Sequence, residues 1–225
     1  MLLRRFQFLD SLPLVDSELE LVRPDPIWFD DLLSACQHPL TLRDAPIEAK
    51  TTRKQLEQFL RVAPWGHEPA DGSPGRVPQY HFWMRIRHDV PPPIGGSLPP
   101  VRIAGAIGFR VGSTHTIEMY YGHFGYHVYP PARGRRYAER SCRLLIRLAC
   151  EHGLKTLWIT CNPDNYASRR TCERLGARLI SIVPVPNDDP LYYRGEREKC
   201  RYRLEINPQM FKECLPHRPI NLTAL

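Results

Sequence analysis

The stretch Gly125-Tyr-His-Val-Tyr-Pro-Pro-Ala-Arg-Gly-Arg-Arg-Tyr-Ala138 decides how this chain folds. An alternation of apolar and aromatic residues, typical of a strand, stops at Pro130 and Pro131. Gly134 follows between arginines, and an amphipathic helix is predicted from about residue 135. Because a helix N-terminus presents free backbone N–H groups and the positive end of its dipole, this turn predicts a site for a phosphate or pyrophosphate.

The positive charge of the chain is concentrated in the same region. The formal net charge is +7, and between residues 132 and 147 a single acid, Glu139, stands among the arginines Arg133, Arg135, Arg136, Arg140, Arg143 and Arg147. This clustering favours a compact polyanionic ligand over the extended phosphate track of a nucleic acid, which we do not expect as a partner. A solvated helix face explains the last three arginines equally well.

Length and composition predict one domain over residues 1–225, with a sizeable core, since 42% of the 225 residues are hydrophobic. No apolar run reaches the roughly 18 residues of a membrane span, and the N-terminus lacks the pattern of a secretory leader. We therefore expect a cytoplasmic protein without membrane contact. The seven cysteines are scattered without a Cys-x-x-Cys pair, which predicts buried reduced thiols and no metal site.

Hydrophobic periodicity predicts an α/β chain in which helices cover the faces of a mixed sheet. The predicted strands are 18–22, 80–87, 102–110, 116–129, 154–161, 178–185 and 199–206, and the predicted helices are 26–35, 52–63, 135–152 and 163–175. The strand over 116–129 would lead directly into the anion-binding turn. Segments 64–79 and 88–101 are predicted loops, and the tail 207–225 shows no clear pattern.

This element order, joined to the pattern Val128-x-Pro-x-x-Arg133-Gly134-x-x-Tyr137-Ala138, resembles the GNAT superfamily of N-acetyltransferases. The resemblance covers a core of about 18–206 and is strongest over 117–180. It implies an α/β (α+β) fold with a mixed, mostly antiparallel sheet of about six to seven strands, flanked by about four helices. In that family the turn Arg/Gln-x-x-Gly-x-Gly/Ala holds the coenzyme A pyrophosphate; here Arg136 replaces the inner glycine.

A second family signature reads Asn-x-x-Ala/Ser, with a tyrosine seven residues after the asparagine and a glycine eleven after it. Asn165, Ser168 and Gly176 match this signature, whereas Cys172 occupies the tyrosine position. Segments 158–165 and 198–203 are similar to an uncharacterised bacterial branch of the superfamily, which implies no particular substrate.

The resemblance implies an enzyme that moves an acetyl group from acetyl-CoA to an amine of a small molecule or peptide, by direct attack in a ternary complex. A main-chain N–H near Val128 would polarise the thioester carbonyl. The implied coenzyme-binding residues are Val128, Arg133, Gly134, Arg135, Arg136, Tyr137, Ala138, Asn165 and Ser168.

The catalytic base and acid are less defined. Glu118, His123 and His127 lie on the predicted strand over 116–129, and His123 is the first choice for the base because it lies about ten residues before the turn. Glu118 is the second choice, and a water or another residue stays open. Cys172 can protonate the leaving thiolate, become acetylated itself or serve as a core thiol, with Tyr166 and Tyr202 as alternative acids.

Two other functions stay open. Arg136 and Cys172 depart from the family pattern, which is consistent with a domain that binds acyl-CoA without efficient turnover. The net charge is consistent with a basic RNA- or ribosome-associated domain. The acceptor pocket is expected under the first two helices and the loops 64–79 and 88–101, the acceptor is not specified, and a monomer or homodimer is expected.

Overall fold

Two antiparallel sheets form the centre of this computed structural model, which describes residues 6–10, 12–71, 76–88 and 98–206. The first sheet has the order β1-β3-β4-β5 with β2 beside β3, and the second has the order β6-β8-β7. The strands are β1 Leu19–Val22, β2 His67–Glu68, β3 Gln79–Ile86, β4 Ile103–Arg110, β5 Phe124–Val128, β6 Thr156–Cys161, β7 Arg178–Pro184 and β8 Glu198–Glu205. The helices are α1 Phe29–Cys36, α2 Pro39–Asp44, α3 Arg53–Val62, α4 Tyr137–Glu151, α5 Tyr166–Arg174 and α6 Pro190–Tyr193.

The predicted α/β class with a mostly antiparallel sheet is confirmed. Helix α3 begins with the expected capping box, since Gln55 N donates to Thr52 Oγ1 at 3.3 Å and Thr52 N donates to Gln55 Oε1 at 2.8 Å. Helix α4 buries the apolar face that its spacing indicates, including Cys142 and Leu145. It begins at Tyr137, two residues later than predicted. The short strand β2 lies in the predicted loop 64–79.

The prediction of one continuous strand over 116–129 is wrong. Residues Ile117–Tyr121 form a π-helical turn, and only Phe124–Val128 pairs in the sheet. Two main-chain carbonyls of the turn accept from distant side chains, that of Glu118 from Arg201 Nε at 2.8 Å and that of Tyr120 from Thr160 Oγ1 at 2.8 Å. These tertiary hydrogen bonds stabilise a conformation that local alternation does not predict.

The two sheets join at one end of β5 and separate at the other. Gly122 has φ +66 and packs so closely on β6 that a Cβ there would lie 2.9 Å from Thr160 N. His123 N then donates to Trp158 O at 2.7 Å. No ladder pair links β5 with β6 within the described ranges. An opening therefore forms beside the C-terminal end of β5.

Most of the Pro/Gly-rich segment 88–101 and all of the tail 207–225 lie outside the described residues. In the described part of the chain, no helix combines the length and apolar character needed to cross a bilayer. The same residues contain no group of histidine, cysteine or acidic side chains arranged to hold a metal ion.

Candidate active site

A cleft of ≈ 740 Å³ occupies the opening between the two sheets. The C-terminal end of β5, the turn over 133–138 and α5 line it, together with Ala45 and Glu48 from the segment around α2. It brings together the predicted coenzyme-binding residues with the exception of Arg135, namely Val128, Arg133, Gly134, Arg136, Tyr137, Ala138, Asn165 and Ser168.

The turn before α4 presents backbone N–H groups to this cleft. Gly134 has φ +89, and a Cβ built there would have no atom within 4 Å, so the main chain at this point is open to a ligand. The Arg140 N–H is the first to bond within the helix, to Arg136 O at 2.9 Å. The N–H groups of Tyr137 and Ala138 therefore have no intrahelical acceptor, and no side chain in the described part of the chain caps them. The turn and the helix dipole suit a pyrophosphate.

Four arginines add positive charge to the lining of the cleft: Arg133, Arg136, Arg170 and Arg174. The last two come from α5 and were not predicted, although their i, i+4 spacing places them on one helix face. Arg143 Nη2 donates to Arg174 O at 2.7 Å and so ties α4 to the end of α5. The cleft wall thus carries more cationic groups than the glycine turn alone provides.

The main chain of Val128 points into the cleft. Tyr129 N donates to Ala104 O at 2.8 Å, so Val128, opposite Gly105, belongs to a non-hydrogen-bonded pair of the antiparallel ladder. Its N–H and C=O are directed away from β4. The carbonyl indeed accepts from Arg133 Nε at 3.2 Å.

Asn165 and Ser168 connect α5 to β5. Asn165 Oδ1 caps the helix by accepting from Ser168 N at 3.0 Å, and Ser168 Oγ shares a hydrogen bond of 2.8 Å with the hydroxyl of Tyr126. Tyr126 was not predicted as a site residue; it lines the cleft, and its place two residues before Val128 puts the two side chains on the same face of β5. Burial raises the pKa of Tyr126 well above its ordinary value, so the phenol stays protonated.

Cys172 is a core residue with no exposed surface and is not among the residues that line the cleft. Its thiol donates a hydrogen bond to the Cys161 sulfur, which together with burial raises the pKa of Cys172. Of the alternative acids, Tyr202 is buried and accepts from Arg169 Nε, whereas Tyr166 is 67% exposed. The structure does not bring any of these three groups together with the turn.

His123 and Glu118, the two preferred bases, also lie outside the cleft lining. His123 is fully buried; its Nδ1 accepts from Trp158 N at 2.9 Å. Burial lowers the pKa of His123 to about 4. Glu118 lies on the π-helical turn.

A second pocket, of ≈ 550 Å³, lies on the face of β3, β4 and β5 beneath α1 and α3. It shares four lining residues with the cleft, which are Glu48, Tyr126, His127 and Tyr129. His127 is an exposed residue that lines both cavities, and desolvation by the protein around its ring lowers its pKa below the ordinary value. A neutral imidazole therefore lies where the two cavities meet.

A coenzyme-sized basic cleft between separating sheets, joined to a second pocket, defines an acyl-CoA-dependent transferase. The family described as Acetyltransferase (GNAT) domain matches residues 19–178. The chain belongs to this superfamily: it is an N-acetyltransferase, and its acetyl donor is acetyl-CoA.

Solved structures share the fold at low sequence identity. A proposed ribosomal-protein-serine acetyltransferase from Vibrio cholerae superposes with a TM-score of 0.57 at 18% identity, covering 87% of this chain and 98% of the other. The microcin C7 self-immunity acetyltransferase MccE, in complex with acetyl-CoA and AMP, gives 0.55 at 16% identity, with coverage of 85% and 94%. RimL, the ribosomal L7/L12 alpha-N-protein acetyltransferase, in complex with coenzyme A, gives 0.55 at 16% identity, with coverage of 85% and 96%. Among curated protein sequences, none matches this chain significantly.

Proposed function

We propose that this enzyme acetylates a primary amine of a small molecule or peptide by direct attack on acetyl-CoA in a ternary complex. The observation that carries the proposal is the junction of the two cavities at His127 and Tyr126. One cavity has the amides and arginines that suit the coenzyme, and the other has room for an acceptor. A single catalytic unit over residues 18–206 is part of this proposal.

The turn and the arginines of the cleft hold the coenzyme. Bound acetyl-CoA supplies an acetyl thioester as the acyl donor. The amides of Gly134, Tyr137 and Ala138 would donate to phosphate oxygens, and charge-assisted hydrogen bonds from Arg133 and Arg136 would add about 1.5–3 kcal/mol each. Asn165 and Ser168 would border the arm that connects the pyrophosphate to the sulfur.

The N–H of Val128 stabilises the negative charge that develops on the thioester oxygen. It points away from β4 into the cleft, where no ladder acceptor competes for it. A single donor of this kind is worth up to about 4 kcal/mol in other acyl transfers.

His127 is the base that we propose, in place of His123 and Glu118. A base must take a proton from the acceptor ammonium so that the neutral amine can attack, and a lowered pKa keeps the His127 imidazole neutral and able to accept that proton at pH 7. Glu48 lies beside it in both cavities, and its carboxylate favours a cation there. His123 instead uses its Nδ1 lone pair to hold the main chain of Trp158.

Tyr126 is the group that we propose to protonate the leaving thiolate. It is a protonated phenol that borders both cavities, and Ser168 Oγ fixes its orientation. Cys172 keeps its proton on the hydrogen bond to Cys161, so neither acid catalysis nor acetylation of this thiol is part of the proposed mechanism.

The acceptor panel should include both small amines and peptide N-termini. Two of the similar structures belong to enzymes named for the acetylation of ribosomal proteins, and a third is named for microcin immunity. Thiol release from acetyl-CoA, measured with and without each amine, separates a transferase from a domain that binds acyl-CoA without turnover.

The direct test of the coenzyme site compares two glycines of the same geometry. Gly134 and Gly195 both have φ +89 and open space at the Cβ position, but only Gly134 lines the cleft. We expect calorimetry to show micromolar binding of acetyl-CoA to the wild-type protein and to Gly195→Asp, and a loss of 100-fold or more in Gly134→Asp. Equal affinity in the two variants, or no binding at millimolar acetyl-CoA, would contradict the proposal.

A further inference from the structure

We propose that the acceptor carries an anionic group, a carboxylate or phosphate, close to its amine, and that Arg110 binds this group. The inference rests on the proposed function and specifies its substrate class. It comes from three features of the second pocket: two paired glycines in its floor, a guanidinium that forms no ion pair with any described carboxylate, and opposite charges at its two ends.

The floor of the pocket is set by the register of three strands. Gly108 of β4 pairs with Gly125 of β5, Ala106 pairs with His127, and Arg110 pairs with Gln79 of β3. Directly opposed residues share a face of the sheet, as do residues two apart on a strand. His127 and Arg110 therefore project from one face, with the two paired glycines between them.

The guanidinium of Arg110 lies above this glycine floor. A Cβ built at Gly125 would be 3.5 Å from Arg110 Nη1. Gly125 is two residues from His127 along β5, or about 7 Å at the rise of an extended strand. A small acceptor can thus place its amine at His127 and its anionic group at Arg110 by extending over Gly125, beside the Gln79 amide that covers the paired Gly108.

Arg110 is an incompletely neutralised cation. Its Nη1 donates to the main-chain carbonyls of Tyr121 and Gly122 at 3.3 and 3.2 Å, and none of the ion pairs formed by the described residues includes it. Burial lowers the pKa of Arg110, which records the desolvation of its charge. A desolvated charge without an ionic partner in a cavity is an attractive site for an anion.

The carboxylate of the nearby Glu68 already has two hydrogen-bond partners other than Arg110. Its Oε2 accepts from His81 Nε2 at 2.8 Å, and its Oε1 accepts from Arg76 Nη1 at 3.2 Å. Burial lowers the pKa of His81, so this ring is neutral at pH 7 and adds no second cation to the pocket. Arg110 is then the charged group at its end of the pocket, and the Glu48 carboxylate is at the other.

The charges therefore match a molecule with an ammonium at one end and an anion at the other. Two sources offer this chemistry, a small amino acid and a peptide whose second residue is acidic. Two matched pairs represent them: 4-aminobutyrate with 4-aminobutyramide, and Ala-Asp-Ala amide with Ala-Asn-Ala amide. Within each pair only the negative charge changes.

The experiment measures kcat and KM for all four amines with the wild-type protein, Arg110→Gln and Arg110→Lys. We expect the anionic member of at least one pair to have a kcat/KM tenfold or more above that of its neutral partner. Arg110→Gln should remove this preference, mainly by raising KM, and Arg110→Lys should restore part of it. The exposed Arg61 on α3 provides the control, since Arg61→Gln changes the net charge equally outside the pocket.

Acetyl-CoA binding, measured by calorimetry on every variant, keeps the two proposals separate. If the wild-type protein does not bind acetyl-CoA, the proposed function itself is contradicted. Intact binding with equal rates for both members of each pair, or with no turnover of any of the four amines, overturns the anionic-acceptor inference. It is also overturned if the preference persists in Arg110→Gln. The pair that shows the larger preference identifies the source of the amine.

Discussion

His123 and Trp158 are joined by two hydrogen bonds, one between main chains and one to the imidazole, that connect the sheets. His123 N donates to Trp158 O at 2.7 Å, and Trp158 N donates to His123 Nδ1 at 2.9 Å. The imidazole nitrogen accepts the hydrogen bond that a main-chain carbonyl would accept in a β-ladder. It does so just before β5, where the chain lies against β6. This contact fixes the closed end of the cleft, and we therefore propose a structural role for His123.

Replacing His123 should destabilise the fold more than replacing His127. His123→Ala leaves a buried cavity and an unsatisfied Trp158 N–H, which together should lower the free energy of unfolding by about 2–4 kcal/mol. His127→Ala removes a solvent-accessible ring and should lower it by less than about 1 kcal/mol. Urea unfolding of both variants measures the difference, and similar values for the two would argue against a joining role.

The same contact predicts how stability depends on pH. Since burial lowers the pKa of His123 from 6.5 to about 4, the unfolded chain binds a proton at this site more readily than the folded one. The contribution is complete above pH 6.5 and declines as pH falls toward 4, by about 3 kcal/mol in total. Urea midpoints of the wild-type protein and His123→Ala, compared between pH 7 and pH 4, should therefore converge on acidification. A constant difference would mean that folding does not lower the pKa of His123.

His127 should control the pH dependence of turnover. Without this base, His127→Gln should lower kcat by about 10²- to 10⁴-fold and leave acetyl-CoA affinity nearly unchanged. In the wild-type protein kcat/KM should decline as pH falls through a pKa below the ordinary value of 6.5, and this limb should disappear in the variant. The exposed His115, which lines neither cavity, serves as the control through His115→Gln. If kcat/KM of His127→Gln still declines at acidic pH through the same pKa, the base is another group.

The arginines of α5 should contribute to coenzyme affinity through charge. The double substitution Arg170→Gln with Arg174→Gln should weaken acetyl-CoA binding by tenfold or more at low ionic strength, and less at high ionic strength. Arg178→Gln, on the exposed start of β7, changes charge outside the cleft and should have little effect.

A second ligand locates the phosphate that these arginines contact. Dephospho-coenzyme A lacks one phosphate, so the double substitution should weaken its binding less than that of acetyl-CoA if Arg170 and Arg174 face that phosphate. An equal loss of affinity for both ligands would instead place the two arginines near the pyrophosphate.

The fold was largely predictable because its periodic segments carry their own signals. The capping box at Thr52 and the end of the strand at Pro130, before Gly134, each depend only on residues a few positions apart in the sequence. The π-helical turn at 117–121 was not predictable, since its carbonyls are satisfied by Thr160 and Arg201, which are distant in sequence.

The candidate site was predictable in part, for the same reason: its local motifs were predicted and its long-range contacts were not. The coenzyme-binding turn is a local motif, and the structure places most of its predicted residues in one cleft. The role of His123 depends on Trp158, 35 residues further along the chain. Alternation alone puts His123 and His127 on the same side of a strand. Only the position of β6 shows that one ring is buried against main chain and the other is accessible.

Arg136 stands at the inner-glycine position of the family turn, and its backbone conformation provides the last prediction. It has φ 57, a left-handed conformation that a residue with a Cβ adopts at a cost of about 1–2 kcal/mol. Arg136→Gly removes this strain but increases the entropy of the unfolded chain, so the net stabilisation should be up to about 1 kcal/mol. Arg133 is the matched control, because it lines the same cleft with φ −65, and Arg133→Gly should instead destabilise by about 0.5–1 kcal/mol. Both variants lose a guanidinium and should bind acetyl-CoA more weakly, so unfolding and calorimetry together separate backbone strain from charge. Equal destabilisation by the two substitutions would show that the turn holds Arg136 without strain.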